Sequence, residues 1–209
     1  MKLERIEQIL SAIDRLGVVS VKQLHEILRL GSYRHTCRVV AQLEEYLNVV
    51  RSQQKIIYLN KGGRQLIGSE KEIKKSVLFD HMLLSNEAYI YYGCPSDWKR
   101  ELPIEVTQEP EFSFGIQIKG LNVTKKKTII PDAVFSRDGY VHLVEIDNTR
   151  STQDNRKKIQ KYKEMWSEIK NRFGLQPKLC IFTMSEKRKR EFAQLCEKLP
   201  CDIKSFFEL

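Results

Sequence analysis

The sequence predicts a mixed α/β protein in two parts, a basic N-terminal group of helices with one β-hairpin and a larger part in which strands and helices follow one another. Three observations support this prediction. Apolar residues recur at helical spacing near the N-terminus, β-prone runs lie between helical segments further on, and the positive charge is concentrated in the first third. The 209 residues are 41% hydrophobic and 30% charged, which excludes a wholly disordered or collagen-like chain.

Composition also limits the environment and the partners of the chain. No apolar run reaches the roughly 18–20 residues of a membrane span, so we expect a soluble, cytoplasmic protein with no membrane partner. The five cysteines are scattered, which favours reduced thiols over a disulfide framework. The net charge is +9, and the first 75 residues hold 14 lysines and arginines against 8 acidic residues. This basic third indicates a polyanionic partner, and nucleic acid is the one that we expect.

The first part is predicted to contain three amphipathic helices and a hairpin. The first helix covers residues 3–16, and Ser20 and Ser32 are positioned to cap the second and the third. Two β-prone runs around a polar tip predict a hairpin over residues 49–59. Three helices followed by a basic-tipped hairpin are the layout of a winged helix-turn-helix domain, which we place at residues 1–69.

Polar and basic side chains open the third helix. Such side chains suit the major groove of DNA, because guanidinium groups reach guanine edges and phosphates. Two cations on the hairpin are expected to contact flanking phosphates. The predicted DNA-binding residues are Tyr33, Arg34, His35, Arg38, Arg51 and Lys55. The alternative is a winged helix used for protein contacts, with these charges facing solvent.

The second part, residues 70–209, is predicted to open with a helix over residues 70–92. The elements predicted after it are strands at 112–118, 128–135 and 140–147, a charged helix at 153–172, a strand at 177–184, a helix at 185–199 and a strand at 202–206. The turn between the second and third strands is predicted at Asp138 and Gly139. This order, αβββαβ with an αβ extension, is typical of an α/β or α+β domain in three layers.

Three acidic residues on the second and third strands are the candidate metal ligands. If these strands form a hairpin, Asp132 lies near Glu145, and Glu145 and Asp147 face the same side of the sheet. Three converging carboxylates can hold Mg²⁺ or Mn²⁺, which activates water and stabilises charge on a reacting phosphate.

These motifs, in this order, resemble the PD-(D/E)xK nuclease superfamily and, more closely, the replication-relaxation family of plasmids and integrative elements. The segments that carry the resemblance are residues 81–86 (HMLLSN), 130–133 (IPDA), 145–149 (EIDNT) and 156–162 (RKKIQKY). The resemblance implies that the winged helix precedes a nuclease-like domain of the PD-(D/E)xK type at residues 70–209.

The chain departs from the nuclease pattern at one position. A nuclease of the superfamily has lysine two residues after the glutamate, where this chain has Asp147. Lys157 or Lys158, on the next helix, would then supply the cation, as displaced lysines do in some members of the superfamily. An active enzyme would use Asp132, Glu145 and Asp147 with one of these lysines and with Mg²⁺ or Mn²⁺. The alternative is an inactive domain, whose acids bond to backbone amides or cap the following helix.

The resemblance implies a DNA-binding protein of a plasmid, phage or integrative element that acts in its replication, DNA relaxation or mobilisation. No cofactor is required for that role. The expected partners are double-stranded DNA, other replication or mobilisation proteins and, as for many winged-helix proteins, a second copy of the chain. Two alternatives stay open: a divalent-metal-dependent DNA endonuclease, and an adaptor that recruits another replication or transfer protein through its C-terminal domain.

Overall fold

The structure, a computed structural model, describes residues 1–51, 54–74, 79–108, 125–148 and 151–208. Within these residues it is mixed α/β with seven α-helices and ten strands, which confirms the predicted mixed α/β class. The chain divides into two compact units, Met1–Pro95 and Ser96–Leu209. Among the described helices, none has the length and apolar character needed to cross a membrane.

The N-terminal unit consists of helices and a small sheet. Its helices are α1 (Leu3–Leu16), α2 (Val21–Leu28), α3 (Tyr33–Gln42), α4 (Lys61–Leu66) and α5 (Phe79–Tyr91). Its strands are β1 (Val19–Ser20), β2 (Leu47–Arg51) and β3 (Lys55–Leu59), in the order β1-β3-β2. The predicted hairpin is confirmed, because β2 and β3 pair antiparallel from Leu47 opposite Leu59 to Arg51 opposite Lys55.

Serine side chains begin α2 and α3, as the sequence predicts. Ser20 Oγ accepts a hydrogen bond from the backbone N–H of Gln23, and the Gln23 side chain accepts one from the backbone N–H of Ser20, which forms a capping box. Ser32 Oγ accepts the backbone N–H of His35 at the start of α3. The apolar faces of the helices then close a core around fully buried side chains, among them Leu10, Ile13, Leu16, Leu24 and Leu43.

Helix α5 begins later than the sequence predicts. The prediction is wrong for residues 70–74, which are not helical, while residues 75–78 of the predicted helix lie outside the described ones; α5 begins at Phe79. Two bonds of Ser69 explain part of the difference, since its Oγ donates to Asp14 Oδ1 at 2.8 Å and accepts the backbone N–H of Lys71 at 3.2 Å. A local bond of the second kind competes with helix formation at the residues that follow.

Two buried amide side chains fix α5 within the N-terminal unit. Asn86, which is 1% exposed, donates from Nδ2 to the carbonyl of Val18 at 2.6 Å. Gln23 donates from Nε2 to the carbonyl of Leu83 at 2.8 Å. The motif at residues 81–86 therefore supplies packing and a buried hydrogen bond to the N-terminal helices.

The C-terminal unit is built on a five-stranded sheet. Its helices are α6 (Thr152–Phe173) and α7 (Glu186–Leu195), and its strands are β4 (Lys99–Arg100), β5 (Ile104–Gln108), β6 (Lys125–Ile129), β7 (Ala133–Arg137), β8 (Tyr140–Asp147), β9 (Gln176–Thr183) and β10 (Cys201–Ser205). The sheet order is β10-β9-β8-β7-β4, and β5 and β6 pair separately. Strands β8, β9 and β10 run parallel, whereas β7 is antiparallel to both β8 and β4.

The strand predicted at residues 128–135 is two strands, β6 and β7. Pro131 lies between them, and proline has no N–H with which to continue a ladder. Strands β4 and β5 were missed, because β4 has only two residues and the alternation of apolar and polar side chains in β5 is confined to residues 104–107 (IEVT). The strand predicted at residues 112–118 lies outside the described residues.

The predicted turn between β7 and β8 is confirmed. Arg137 lies opposite Tyr140, so Asp138 and Gly139 form a two-residue loop, with φ values of 51° and 79°. Positive φ at both loop residues matches the right-handed twist of the flanking strands and explains the Asp-Gly pair. The turn sets the register that places Ala133 opposite Val144.

One face of the sheet packs against α6 and α7. Val141 and Leu143 of β8 belong to the same buried cluster as Tyr162 of α6 and Phe192 of α7. Alternate residues of a strand share a face, so Glu145 and Asp147 lie on this covered side of the sheet. The apolar core therefore determines which face receives the two acids.

We predict that Gly63→Ala destabilises the N-terminal unit. A Cβ at Gly63 would lie 2.4 Å from the carbonyl oxygen of Tyr46, so α4 and this backbone segment would have to move apart. The expected loss is about 1–3 kcal/mol in the free energy of opening, measured by hydrogen exchange of peptides from the N-terminal unit. Gly62→Ala is the matched control, since its nearest contact would be the Asn60 side chain at 3.3 Å. Equal protection in the two variants would contradict the prediction.

Candidate functional site

Asp132 and Glu145 are brought together by the hairpin of β7 and β8. Just beyond the last ladder pair, Ala133 with Val144, the backbone N–H of Asp132 also donates to the carbonyl of Val144 at 2.9 Å. The side chain is fixed as well, with Asp132 Oδ2 accepting the backbone N–H of Ile146 at 2.7 Å. The predicted proximity of Asp132 and Glu145 is therefore present, with both side chains buried.

Glu145 is held by two donors from α6. Tyr162 donates its hydroxyl to Oε1 at 2.6 Å, and Lys158 Nζ forms an ion pair with Oε2. Burial and, after it, the negative charge of Asp132 raise the pKa of Glu145 from 4.5 to a net value of about 7, with Lys158 and Tyr162 opposing the increase. A carboxyl group with this pKa exchanges a proton near neutral pH.

The structure distinguishes the two candidate lysines. Lys158 lies one turn before Tyr162, on the side of α6 that faces the sheet, and it contacts Glu145. Lys157 is exposed to solvent. Of the two, Lys158 alone joins the acidic cluster.

Asp147 is paired with donors of its own. It is 3% exposed, and Arg188 of α7 binds it through both Nε and Nη2. Asn155 Nδ2 donates to Oδ1 at 2.8 Å, and Thr183 Oγ1 donates to Oδ2 at 3.0 Å. The hydrogen bond to Asp147 raises the pKa of Arg188. Arg188, 41 residues further along the chain, thus balances the negative charge of Asp147, which is the acid at the position where the nuclease pattern has lysine.

Arg100 is a residue of this site that the sequence did not identify. It lies opposite Ala133 in the pairing of β4 with β7, next to Asp132. Burial lowers the pKa of Arg100, and the negative charges of Glu101 and Asp132 oppose that decrease. No sequence signal could have found it, because β4 itself was not predicted. In the sequence, Tyr162 and Arg188 stand out only as members of the basic segments at residues 156–162 and 187–190.

A metal ion bound beside Asp132 and Glu145 would have two carboxylate ligands. Within the described part of the chain, no three His, Cys, Asp or Glu side chains are grouped closely enough to hold one. Asp132 and Glu145 fit Mg²⁺, which proteins often bind through one or two carboxylates, once Lys158 moves away from Glu145 Oε2. Asp147 does not fit the same ion, since Arg188 already neutralises it.

The predicted DNA-binding residues lie on α3 and on the hairpin. Tyr33, Arg34 and Arg38 are exposed on α3, and His35 is half-buried. The Tyr33 ring is 52% exposed and meets the ring of His25 edge-on at 6.1 Å.

The two hairpin cations, Arg51 and Lys55, are exposed and lie directly opposite each other in the β2–β3 register. The inner side of α3 is fixed by Thr36, which is fully buried and lies 3.1 Å from His25 Nδ1 through its hydroxyl. The structure thus presents these cations on the surface, and their contact with DNA stays a prediction.

Comparison with known proteins identifies one family. The sequence model of the family described as replication-relaxation matches residues 10–179 of this chain. The matched residues include α3, the hairpin, Asp132, Glu145 and Lys158. Arg188 lies outside the matched residues. Comparison with curated proteins and with solved structures gives no match.

We predict that ionisation of Glu145 makes stability decrease with pH. Its pKa is about 7 in the folded protein against 4.5 ordinarily, so between these values the folded state retains a proton that the unfolded state releases. The free energy of unfolding should therefore fall by up to roughly 3 kcal/mol as the pH rises from about 4.5 to about 7. Unfolding by urea at several pH values measures this decrease.

Two variants test the assignment. Glu145→Gln cannot ionise, so its stability should lack the decrease seen in the wild-type protein. Glu164→Gln is the control, because the hydrogen bond from Lys127 lowers the pKa of Glu164 and places its titration below this pH window. A decrease that persists in Glu145→Gln would assign the titration to another group.

Proposed function

The chain belongs to the replication-relaxation family, and we propose that it is a DNA-binding protein acting in the replication, DNA relaxation or mobilisation of a plasmid, phage or integrative element. We propose a winged helix at residues 1–69 as the DNA-reading domain and a nuclease-like domain of the PD-(D/E)xK type at residues 70–209. The proposed partners are double-stranded DNA, other replication or mobilisation proteins and a second copy of the chain.

The observation that carries this proposal is the exposure of the cations on α3. Arg34 and Arg38 are four residues apart, hence on one side of the helix, and both are exposed. Val39 and Val40 of the same helix are buried in the core, so the opposite side anchors α3 to the unit. A helix that is anchored on one side and exposes guanidinium groups on the other is suited to the major groove.

The hairpin supports the same interpretation. Arg51 and Lys55 form an exposed cross-strand pair, although like charges that lie directly opposite each other destabilise a hairpin. Binding of a phosphate between them would remove that repulsion. We therefore assign the hairpin to the DNA backbone and α3 to the bases.

The charge balance of the C-terminal acids supports an inactive nuclease-like domain. Lys158 pairs with Glu145 and Arg188 with Asp147, and both acids are buried. Each cation offsets part of the cost of burying a negative charge without a metal ion, and Glu145, whose pKa is about 7, can also become neutral by holding a proton. In this proposal the domain contributes binding and no cleavage.

We predict that α3 reads sequence through its two arginines. Footprinting on the DNA that flanks the gene identifies the site, and fluorescence anisotropy then measures affinity. Replacing both residues, Arg34→Gln with Arg38→Gln, should weaken binding to that site by roughly 30-fold or more, since each bidentate guanine contact contributes about 1–3 kcal/mol and two contacts are lost.

Two further double variants make the test specific. Replacement by lysine at positions 34 and 38 should retain binding to unrelated DNA but reduce the preference for the footprinted site. Lys2→Gln with Arg5→Gln removes the same charge from α1, where both residues are exposed, and should leave the preference unchanged. Equal losses in the α1 and α3 variants would reject a reading role for α3.

A metal-dependent DNA endonuclease is the second candidate function. The observation that favours it is the grouping of Asp132, Glu145 and Lys158, two acids and a cation around one position at the sheet. Bound Mg²⁺ would supply an activated water and positive charge at the phosphate. Lys158 would then orient that water, and Arg100 would add charge beside Asp132.

We predict that any cleavage depends on Lys158. Supercoiled plasmid is incubated with the protein and Mg²⁺ or Mn²⁺, and nicked circles are quantified on gels. If the domain is active, Lys158→Met should reduce nicking at least 100-fold, as should Asp132→Asn, while Lys163→Met, an exposed control on the same helix, retains it. Intact plasmid under all conditions would exclude the endonuclease and leave the binding function.

A further inference from the structure

We propose that the C-terminal unit has its own binding surface for the phosphate backbone of DNA, at the beginnings of α6 and α7. We call it the α6–α7 basic surface and define it by four residues: Arg156, Lys157, Lys187 and Arg190. This inference concerns a different unit from the winged helix and does not depend on the role proposed for α3.

The sheet and one buried acid bring the two helix beginnings together. Strands β8 and β9 are adjacent and parallel, and Asp147 lies opposite Thr183 where both strands end. Helix α6 follows the first strand and α7 follows the second. Asn155 of α6 and Arg188 of α7 both donate to the Asp147 carboxylate, which ties the first turns of the two helices to one point.

The cations near Asp147 form two sets, an inner set that is paired with acids and an outer set that is exposed to solvent. The inner set is already paired: Lys158 binds Glu145, Arg188 binds Asp147 and Lys189 binds Glu208. The outer set is the α6–α7 basic surface, whose four side chains are exposed and form no ion pair within the described part of the chain. The inner pairs hold the helices in place, and the outer cations face solvent.

The charge of the surface stays positive after its acids are counted. Asp154 and Glu186 are the exposed acids in the first turns of α6 and α7. The Asp154 carboxylate accepts a hydrogen bond from Ser151 Oγ at 2.7 Å, and the backbone N–H of Asp154 donates to the same Oγ, so this carboxylate is engaged locally. Four exposed cations against two acids attract a polyanion.

The chemistry of the surface favours a DNA backbone. Lysine and arginine side chains on helix surfaces contact phosphates without reading bases, and such contacts give sequence-independent binding. The surface also adjoins the cluster of Glu145 and Lys158, since Lys157 precedes Lys158 on α6. A strand bound there would pass beside the acidic cluster, whether or not that cluster cleaves DNA.

The test is the salt dependence of binding to DNA of unrelated sequence. Full-length protein is titrated with a fluorescent duplex of about 20 base pairs and, separately, with one strand of it, between about 50 and 300 mM salt. Replacing Lys157 and Lys187 together by glutamine should reduce the slope of log K against log salt by about 0.9 per lost duplex contact, or about 0.7 for a single strand. Affinity at about 0.1 M salt should fall by an order of magnitude or more.

Matched variants separate this surface from general charge and from unfolding. Lys170→Gln with Lys198→Gln removes two exposed charges, one from the last turn of α6 and one from the turn that follows α7, and should leave the slope unchanged. Lys157→Arg with Lys187→Arg should retain the slope, which shows that charge at these positions is what matters. Repeating the titrations in the Arg34→Gln, Arg38→Gln protein removes the proposed contribution of α3.

The outcomes are decisive in both directions. A smaller slope in the Lys157→Gln, Lys187→Gln variant alone supports the surface. If the slope changes more with the duplex than with the single strand, the surface binds duplex DNA, and the reverse result indicates single-stranded DNA. Equal slopes in this variant and in the Lys170→Gln, Lys198→Gln control overturn the proposal. An equal loss of affinity in the arginine and the glutamine replacements also overturns it, because a loss of the native fold would then explain the result.

Discussion

The register of the β7–β8 hairpin is the constraint on which the acidic site depends. The two-residue turn at Asp138 and Gly139 places Ala133 opposite Val144, and Asp132 follows at the end of this pairing, where its negative charge adds to burial in raising the pKa of Glu145. A slip of one residue along the strand would turn its side chains to the opposite face of the sheet. The turn and the apolar side chains of β8 oppose such a slip, because Val141 and Leu143 must face α6.

The buried acids determine, in turn, which cations surround them. An isolated charge in the interior is costly, so each acid requires a donor from a neighbouring element. Lys158 and Tyr162 of α6 reach Glu145, and Arg188 of α7 reaches Asp147. The charge of Asp147 is therefore balanced by Arg188, whose contact also ties α7 to the end of β8.

Two basic surfaces follow from the same principle, in which one side of a helix is anchored and the other is exposed. On α3 the buried side contains Thr36 and Val40 and the exposed side contains Arg34 and Arg38. On α6 and α7 the inner cations are fixed by acids while the outer ones face solvent. In our two proposals, α3 contacts the bases of DNA and the α6–α7 basic surface contacts the DNA backbone. One chain would then bind DNA at two places, of which only the first depends on the base sequence.

Sequence by itself determined the features that depend on short-range interactions. Helical spacing located α1 to α3, serine caps located two helix starts, and the Asp-Gly pair with the spacing of Asp132 and Glu145 located the hairpin and its facing acids. Only the tertiary structure decided that Lys158 and not Lys157 reaches Glu145, that Arg188 neutralises Asp147, and that Arg100 lies beside Asp132. These contacts depend on the rotation of a helix relative to the sheet and on residues far apart in the chain. Local spacing does not encode either property, because both are set by how the apolar faces of separate elements pack.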